Sequence, residues 1–296
     1  MMYKLLSKLE SFFLTRVKLE NKYPPLFIVG PPRSGTTLIY LYLINKLQLG
    51  YFPNISKNHP RACVSYAIIG KLFHRYRATY NNSFGIVEGA MSPSDGWEIF
   101  HRWFPRYDYT KSVELDDLFE LRNVVRLFES IFHAPFANKN NSNSVRIKYL
   151  SRLFPGAIFI HVMRDIESSV MSLLESRQKH NIKIDEWWGV PPPQFADMKF
   201  SKELKRAVCQ IWGVNAFIQS SLSQLQAENW YSVSYEHFCE RPQDLMEWLS
   251  SAYTNAGITL GSRSLSLGQG FQARHRTCPS DLKQSIRSII TILENT

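Results

Sequence analysis

The sequence predicts a single α/β domain, built on a P-loop-type parallel sheet that is flanked by helices. Short, largely apolar segments typical of buried strands occur along the chain. Helical segments alternate with them, which favours a mainly parallel sheet. A glycine-containing loop joins the first strand to a helix. Residues 1–22 are predicted to form an N-terminal extension and residues 23–296 the domain.

The first strand and the loop after it carry the strongest signal for a binding site. The strand is predicted at Leu26-Phe27-Ile28-Val29, the loop at 31–37 and a buried helix at 38–49. Gly30 and Gly35 have the spacing of the Walker A pattern, G-x-x-x-x-G-K-[ST]. Backbone N–H groups in such a loop and the positive end of the helix dipole favour an anion. The sequence therefore predicts a phosphate-binding loop.

The loop departs from Walker A at one position. Walker A places Lys after the second glycine, where it reaches the β and γ phosphates. This chain has Thr36 there, and the cation of its loop is Arg33. The loop therefore suits a donor in which one 5′ phosphate carries the transferred group better than it suits a triphosphate. A P-loop nucleotide kinase or NTPase is the first alternative.

A second motif lies at the end of another predicted strand, 157–162. Arg164 and Asp165 end that strand, and the helix that follows has an apolar stripe. Ser172 lies off this stripe and is free to face a ligand. Ser168 and Ser169 occupy the first turn of the helix, where backbone N–H groups favour anions.

These two motifs resemble those of the PAPS-dependent sulfotransferases (PAPS is 3′-phosphoadenosine 5′-phosphosulfate). The segment Pro32-Arg33-Ser34-Gly35-Thr36-Thr37-Leu38 is similar to their 5′-phosphosulfate-binding loop. Arg164 and Ser172 are similar to the pair that holds the 3′-phosphate. The resemblance covers roughly residues 24–255. It implies a five-stranded parallel sheet, PAPS as co-substrate, PAP (3′,5′-adenosine bisphosphate) as product, and no metal.

The acceptor side is less well defined by the sequence. A general base should take the proton of the acceptor hydroxyl or amine. The candidates are Glu88, beside a short strand predicted at 85–89, and Asp95. Lys139 is a candidate cation on the donor side. The acceptor is expected to be a small molecule or a glycan, such as a carbohydrate or a lipid-linked glycan. A non-catalytic protein that binds PAP or another nucleotide is the second alternative.

Composition limits the cellular setting. The chain has 35 Lys and Arg against 25 Asp and Glu, a net charge of +10, which suits an anionic ligand, an acidic polymer or a membrane surface. No nucleic-acid-binding motif accompanies this charge, so no nucleic-acid partner is predicted.

The cysteines form no C-x-x-C pair and are expected to be ordinary thiols in a reducing compartment, which favours a cytoplasmic location.

The N-terminal extension resembles an amphipathic helix. Its apolar stripe is predicted to pack on the core, with peripheral contact at the inner membrane surface as the alternative. The stripe consists of Leu5, Leu6, Leu9, Phe12, Phe13 and Val17. Further along the chain, residues 91–134 are predicted to be helical and residues 138–144 to be a polar loop.

Overall fold

A parallel sheet with helices on both faces organises the molecule. The computed structural model describes residues 2–16, 19, 22–76, 78–82, 85–104, 113–263 and 270–295. Within these residues the strands pair in the order β2-β1-β3-β4, and every pairing is parallel. The strands are β1 (Leu26–Val29), β2 (Ala137–Lys139), β3 (Ile158–Met163) and β4 (Trp230–Ser234). The predicted α/β fold class is therefore confirmed.

Helices precede, connect and follow these strands. Short 3₁₀ turns lie between several of them, among them Asn141–Val145. The α-helices are α1 (Met2–Leu14), α2 (Thr36–Lys46), α3 (Asn54–Lys57), α4 (Cys63–Phe73), α5 (Trp97–Phe100), α6 (Phe119–Phe132), α7 (Ile147–Leu153), α8 (Ile166–Lys179), α9 (Glu203–Leu222), α10 (Tyr235–Glu240), α11 (Pro242–Asn255) and α12 (Ser280–Glu294).

The core lies in layers on the two faces of the sheet. Alternate residues of a strand point to opposite faces, so β1 divides its side chains between both layers. Phe27 and Val29 pack in a cluster with residues of α6, α7 and α9. Leu26 and Ile28 pack on the other face with residues of α2 and α11. All four residues of β1 are buried, as expected of a central strand in a parallel sheet.

The strand register determines where the loops meet. Val29 lies opposite His161 of β3, and Ile28 lies opposite Lys139 of β2. The carboxyl ends of the three strands therefore share one edge of the sheet. In open parallel sheets ligands bind in the crevice beyond this edge. Both predicted phosphate-binding segments begin there.

The structure corrects several sequence predictions about the sheet. The polar loop predicted at 138–144 in fact contributes Asn138 and Lys139 to β2, because strand pairing with β1 outweighs their low β-propensity. The described residues contain four strands, against the five that the resemblance implied. The strand predicted at 85–89 is also wrong: this segment is a turn with one bridging residue.

The region predicted to be helical at 91–134 forms two separate helices. It divides into the short α5, a 3₁₀ turn at Asp116–Leu118, and α6. Residues 105–112 lie outside the described residues. Gly96 starts α5 in the left-handed conformation, with a φ of 64°. A Cβ at this position would lie 2.4 Å from the ring of Phe52, so the break before α5 requires glycine.

The N-terminal helix does not bury its apolar stripe as predicted. Helix α1 ends at Leu14, and Val17 lies outside the described residues. The buried residues of α1 are Glu10 and Leu14, whereas Leu5, Leu9 and Phe12 are each more than half exposed, at 59%, 56% and 60%. Among the described helices, none is both long and apolar enough to cross a bilayer.

Candidate active site

The loop after β1 is built to approach an anion closely. The Ser144 hydroxyl accepts a hydrogen bond from the backbone N–H of Gly30 at 3.0 Å and donates to the Gly30 carbonyl at 3.1 Å. A Cβ on Gly30 would lie 2.6 Å from Ser34 Oγ and 2.7 Å from the carbonyl of Val162. Glycine is therefore needed where the strand turns into the loop.

Two residues of this loop have positive φ angles. Arg33 has a φ of 69° and Gly35 a φ of 94°. Backbone turns of this kind gather successive N–H groups into a concave anion-binding nest. Gly35 is also the N-cap of α2 and makes no side-chain cap. The first N–H groups of α2 therefore receive no side-chain cap from Gly35 and can bind a ligand.

The second predicted motif meets the first across the sheet edge. Arg33 Nε donates to Ser172 Oγ at 3.0 Å, and Arg164 Nη1 donates to the carbonyl of Arg33 at 3.1 Å. Ser172 is buried and Arg164 is half-buried. The Asp165 carboxylate caps α8 by accepting from the N–H of Ser168 at 2.7 Å. The structure therefore brings Arg33, Arg164 and Ser172 together.

Tyr235 fixes the position of Arg164. The guanidinium carbon of Arg164 lies 4.6 Å from the centre of the Tyr235 ring, a distance typical of a cation–π contact. The same ring packs against Gly35, where a Cβ would lie 2.4 Å from Tyr235 Cδ2. The edge of the Tyr235 ring thus packs against the phosphate loop, and the face of the same ring packs against Arg164. The neighbouring Glu236 accepts from the N–H of Asp165 at 3.2 Å.

A segment near the C-terminus completes this side of the site. The carbonyl of Arg274 accepts a hydrogen bond from Arg164 Nη2, and the N–H of Arg276 donates to Ser168 Oγ at 3.4 Å. The guanidinium of Arg276 forms an ion pair with Glu175 of α8 at 2.9 Å. Residues 274–276 therefore lie beside Arg164 and α8.

Arg33, Arg164 and Arg276, which we call the arginine cluster, concentrate positive charge at the sheet edge. Burial lowers the pKa of the Arg33 guanidinium, and the charges of Arg164 and Arg276 lower it further, while Glu175 opposes them. Arginine remains charged at neutral pH despite such shifts. The mutual repulsion within the cluster falls when an anion enters, so the cluster favours a ligand with several negative charges.

Lys139 adds a cation beside the loop. It lies at the end of β2 and is 5% exposed. A Cβ on Gly85 would lie 3.2 Å from Thr37 Oγ1 and 3.6 Å from Lys139 Nζ, so the ammonium group lies beside the phosphate loop. Burial lowers the pKa of Lys139, Asp95 opposes this shift, and Arg33 and Lys57 add to it.

The two candidate bases lie in different environments. Asp95 is half-buried; its carbonyl accepts from Asn138 Nδ2 of β2 at 3.0 Å, and its carboxylate accepts from the N–H of Trp97 at 3.2 Å. These contacts hold it at the edge of β2, where its charge acts on Lys139. Glu88, in contrast, is exposed. Asp95 therefore lies within reach of the Lys139 charge, whereas the side chain of Glu88 faces solvent.

Buried polar atoms without a hydrogen-bond partner indicate whether this site fits a donor with two phosphate groups. Ser34 Oγ, Ser169 Oγ and Arg164 Nε are buried and have no hydrogen-bond partner among the described residues. Buried polar atoms normally find partners, so each is a candidate contact for a ligand. Ser34 belongs to the loop, whereas Ser169 and Arg164 belong to the second motif. The residues present fit one phosphate in the loop and another beside α8.

Sequence reasoning missed Arg276 and the contact between Tyr235 and Arg164. The available signal was the basic run Arg274-His275-Arg276 in a segment without strand or helix periodicity. Such a run is more often a solvated surface. Its place over α8 depends on how the chain returns after α11, which local patterns do not specify.

Comparisons with known proteins identify the family and support the fold. The family model described as "Sulfotransferase family" matches residues 24–253. The sulfotransferase STF9 from Mycobacterium avium is 15% identical, with a TM-score of 0.55 over 96% of this chain and 71% of that one. The sulfotransferase STF1 from Mycobacterium tuberculosis H37Rv is 14% identical, with a TM-score of 0.51 over 97% of this chain and 76% of that one. No curated protein sequence matches this chain.

Proposed function

The chain belongs to the sulfotransferase family, and from this premise we propose that it transfers a sulfuryl group from PAPS to a hydroxyl or amine of an acceptor. The observation that carries the proposal is the meeting of two motifs at one sheet edge. Arg33 of the loop donates to Ser172, and Arg164 donates to the backbone of Arg33. This arrangement supports one donor whose 5′ and 3′ phosphates are held at the same time.

The 5′ end of the donor is assigned to the loop. Backbone N–H groups of the nest, together with Ser34, Gly35, Thr36 and Thr37, would bind the phosphosulfate. Pro32 and Leu38 flank the nest and complete the segment. Arg33 belongs to the loop and contacts Ser172, and Lys139 lies beside the loop near Thr37. They would stabilise the negative charge that builds on the leaving phosphate.

The 3′-phosphate is assigned to Arg164 and Ser172, with Ser169 beside them. Arg164 Nε and Ser169 Oγ are the buried polar atoms without partners in that part of the structure. Arginine offers several N–H donors in a plane and suits phosphate recognition. Arg276, which lies above the first turn of α8, adds charge that favours a bisphosphate.

Asp95 is the favoured general base of the two candidates. PAPS supplies an activated sulfuryl group, and transfer to the acceptor oxygen or nitrogen breaks the bond between sulfur and the phosphate oxygen and releases PAP. Asp95 would accept the proton that the acceptor loses, and its position at the end of β2 would set the acceptor beside the loop. Glu88 is the less favoured candidate, because its side chain is exposed and no contact ties it to Lys139 or to the loop among the described residues.

The acceptor and the location remain predictions. The acceptor is expected to be a small molecule or a glycan, including a carbohydrate or a lipid-linked glycan. The cysteines are free thiols, and Cys63, Cys209 and Cys239 are buried. Such thiols are compatible with the reducing compartment that the sequence favoured.

Thermal unfolding in the presence of nucleotides tests the donor assignment without knowledge of the acceptor. A ligand that binds only the native state at 100 times its Kd stabilises it by about 2.7 kcal/mol, which raises the Tm of a domain of this size by roughly 5 °C. We expect this shift with PAP and a smaller one with 5′-AMP at equal concentration. A larger shift with ATP and magnesium than with PAP would favour the kinase alternative.

A further inference from the structure

The exposed apolar side chains of this protein are concentrated on two helices. Of the large apolar residues that are exposed in the described part of the chain, most lie on α1 or α4. Those of α1 include Met2, Leu5, Leu9, Phe12 and Phe13, and those of α4 are Ile68, Leu72 and Phe73. Single exposed apolar residues are ordinary, whereas a group on neighbouring helices indicates an interaction surface.

A buried carboxylate joins the two helices. Glu10 of α1 is 6% exposed and accepts hydrogen bonds from the N–H of Val64 at 3.1 Å and from the N–H of Ser65 at 2.8 Å. It also accepts from the Ser65 hydroxyl at 2.8 Å. These N–H groups belong to the first turn of α4, so Glu10 caps that helix from another element. The position of α1 against α4 is therefore specific.

Helical periodicity places the exposed apolar residues of each helix on one face. On α1, Met2, Leu5, Leu9 and Phe12 recur at spacings of three or four residues and form one exposed stripe, with Phe13 between this stripe and the side that carries Glu10. On α4, Ile68 and Leu72 follow Ser65 at the spacing of one helix face. The Glu10–Ser65 contact is therefore bordered by apolar residues on both helices. We call this region the α1–α4 surface.

Cations border this surface, and the carboxylate of α1 points inward to the cap of α4. Lys4, Lys8 and Arg16 of α1 are exposed, and Arg16 lies over the Phe12 ring at 3.9 Å. Lys71 and Arg75 are exposed at the end of α4. Glu10, the only acidic residue within α1, points into the cap of α4. The surface thus combines an apolar centre with a cationic border.

We propose that the α1–α4 surface is a docking site for an anionic membrane surface. An amphipathic helix with Leu and Phe on one side and Lys or Arg beside them lies in the headgroup region with its apolar face in the acyl layer. The cationic border complements anionic lipid headgroups. A second copy of the chain fits less well, because two such surfaces packed together would bring their cationic borders into contact.

Co-sedimentation with lipid vesicles tests this proposal on the full chain. The vesicles are phosphatidylcholine alone, or phosphatidylcholine with about one third phosphatidylglycerol. We expect binding to the anionic vesicles that weakens as salt is added. Leu5→Gln with Leu9→Gln keeps the helix propensity and the charge of α1, and should lower the partition coefficient at least about ten-fold. Lys4→Gln with Lys8→Gln should lower it by about five-fold for each lysine, on the anionic vesicles only.

Controls separate membrane binding from general effects. Ile292→Gln changes an apolar residue of α12 that is equally exposed, at 62%, and should leave vesicle binding unchanged. The Tm of each variant should stay close to that of the parent, because the changed side chains are exposed. Vesicle binding no greater in the parent than in the leucine variant would overturn the proposal. So would a dimer, detected by light scattering, that the leucine variant dissociates, because the surface would then bind a second copy.

Discussion

Arg33 lies where the two halves of the candidate site meet. Its guanidinium donates to Ser172 of α8, and its carbonyl accepts from Arg164, although its own position is in the loop after β1. Burial and the other arginines of the cluster lower its pKa, which means that its charged form is destabilised at this position. An anion that enters the site would stabilise this charged form. One residue thus connects the loop to the proposed 3′-phosphate site.

Replacement of Arg33 should affect turnover far more than folding. We expect Arg33→Ala to lower sulfuryl transfer from PAPS by about 100- to 1,000-fold, because a charge that stabilises the leaving group is lost. The measurement is transfer of labelled sulfur from PAPS to the best acceptor found in a panel of phenols, sugars and amphiphilic alcohols. Arg287→Ala removes an arginine of α12 that is 69% exposed and serves as the control. Unchanged turnover in Arg33→Ala would contradict the assigned role.

Arg164 should determine selectivity for the 3′-phosphate. The loss of charge-assisted hydrogen bonds in Arg164→Ala should weaken PAP binding by about 10- to 100-fold. Binding of 5′-AMP, which lacks the 3′-phosphate, should change little. The comparison of the two affinities also controls for a disturbed loop, since damage to the loop would weaken both ligands. An undiminished preference for PAP in the variant would place the 3′-phosphate elsewhere.

Asp95 and Glu88 can be separated by their isosteric amides. If Asp95 is the base, Asp95→Asn should lower transfer by about 100- to 10,000-fold while PAP binding is retained. Glu88→Gln should retain most of the transfer activity, because its side chain is exposed. The same acceptor panel provides the measurement. The reverse result, with activity lost in Glu88→Gln alone, would assign the proton transfer to Glu88.

The sequence places Arg33 and Arg164 just after strand ends, and the family resemblance adds Ser172; the structure brings these three residues together. The sequence could not choose between Asp95 and Glu88, since their distance from the loop depends on the turns between 85 and 96. The sequence could not predict the position of Arg276 for a similar reason. More than one hundred residues separate it from Ser168, which it contacts. Contacts over such separations are set by tertiary packing.

At the scale of elements, apolar runs predicted the central strands well. β1 and β3 are buried along nearly their whole length, and their residues are the most apolar of the sheet. β2 has three residues, two of them Asn138 and Lys139, and offers no apolar or alternating pattern. It exists because β1 provides a partner edge. Short polar strands of this kind cannot be recognised locally.

His161 links β3, β4 and α9 and should make stability depend on pH. It is fully buried, with its ring nitrogens 3.2 Å from Ser232 Oγ and 3.0 Å from Asn215 Oδ1. Burial lowers its pKa from 6.5 to about 4. The native state therefore favours the neutral ring. The neutral ring contributes about 3 kcal/mol to the free energy of unfolding, and this contribution is complete above pH 6.5 and lost as the pH falls towards 4.

The variant His161→Gln should remove this dependence. Glu129 acts in the opposite direction, because burial raises its pKa from 4.5 to about 7, so native stability falls as the pH rises through that range. The parent curve alone therefore mixes the two effects. Urea unfolding of parent and variant at several pH values between 4 and 7 isolates the histidine contribution. Parallel curves would contradict the role given to His161.

At the scale of the whole molecule, the basic residues that give the net charge of +10 are grouped in more than one region. The arginine cluster and Lys139 surround the carboxyl edge of the sheet, where the donor is proposed to bind. Other cations border the exposed apolar residues of α1 and α4. The overall fold class followed from strand and helix alternation. The exposure of α1 did not, because an apolar stripe has the same spacing whether it packs on a core or faces the surroundings.

Calorimetric titration with PAP, 5′-AMP, and ATP with magnesium tests the central claim most directly. The claim is that the loop after β1 and the Arg164–Ser172 pair hold the two phosphates of one nucleotide. We predict that PAP binds at least about ten-fold more tightly than 5′-AMP, since it alone engages Arg164, and that ATP with magnesium binds more weakly than PAP. Tighter binding of ATP with magnesium, or equal binding of PAP and 5′-AMP, would contradict the claim.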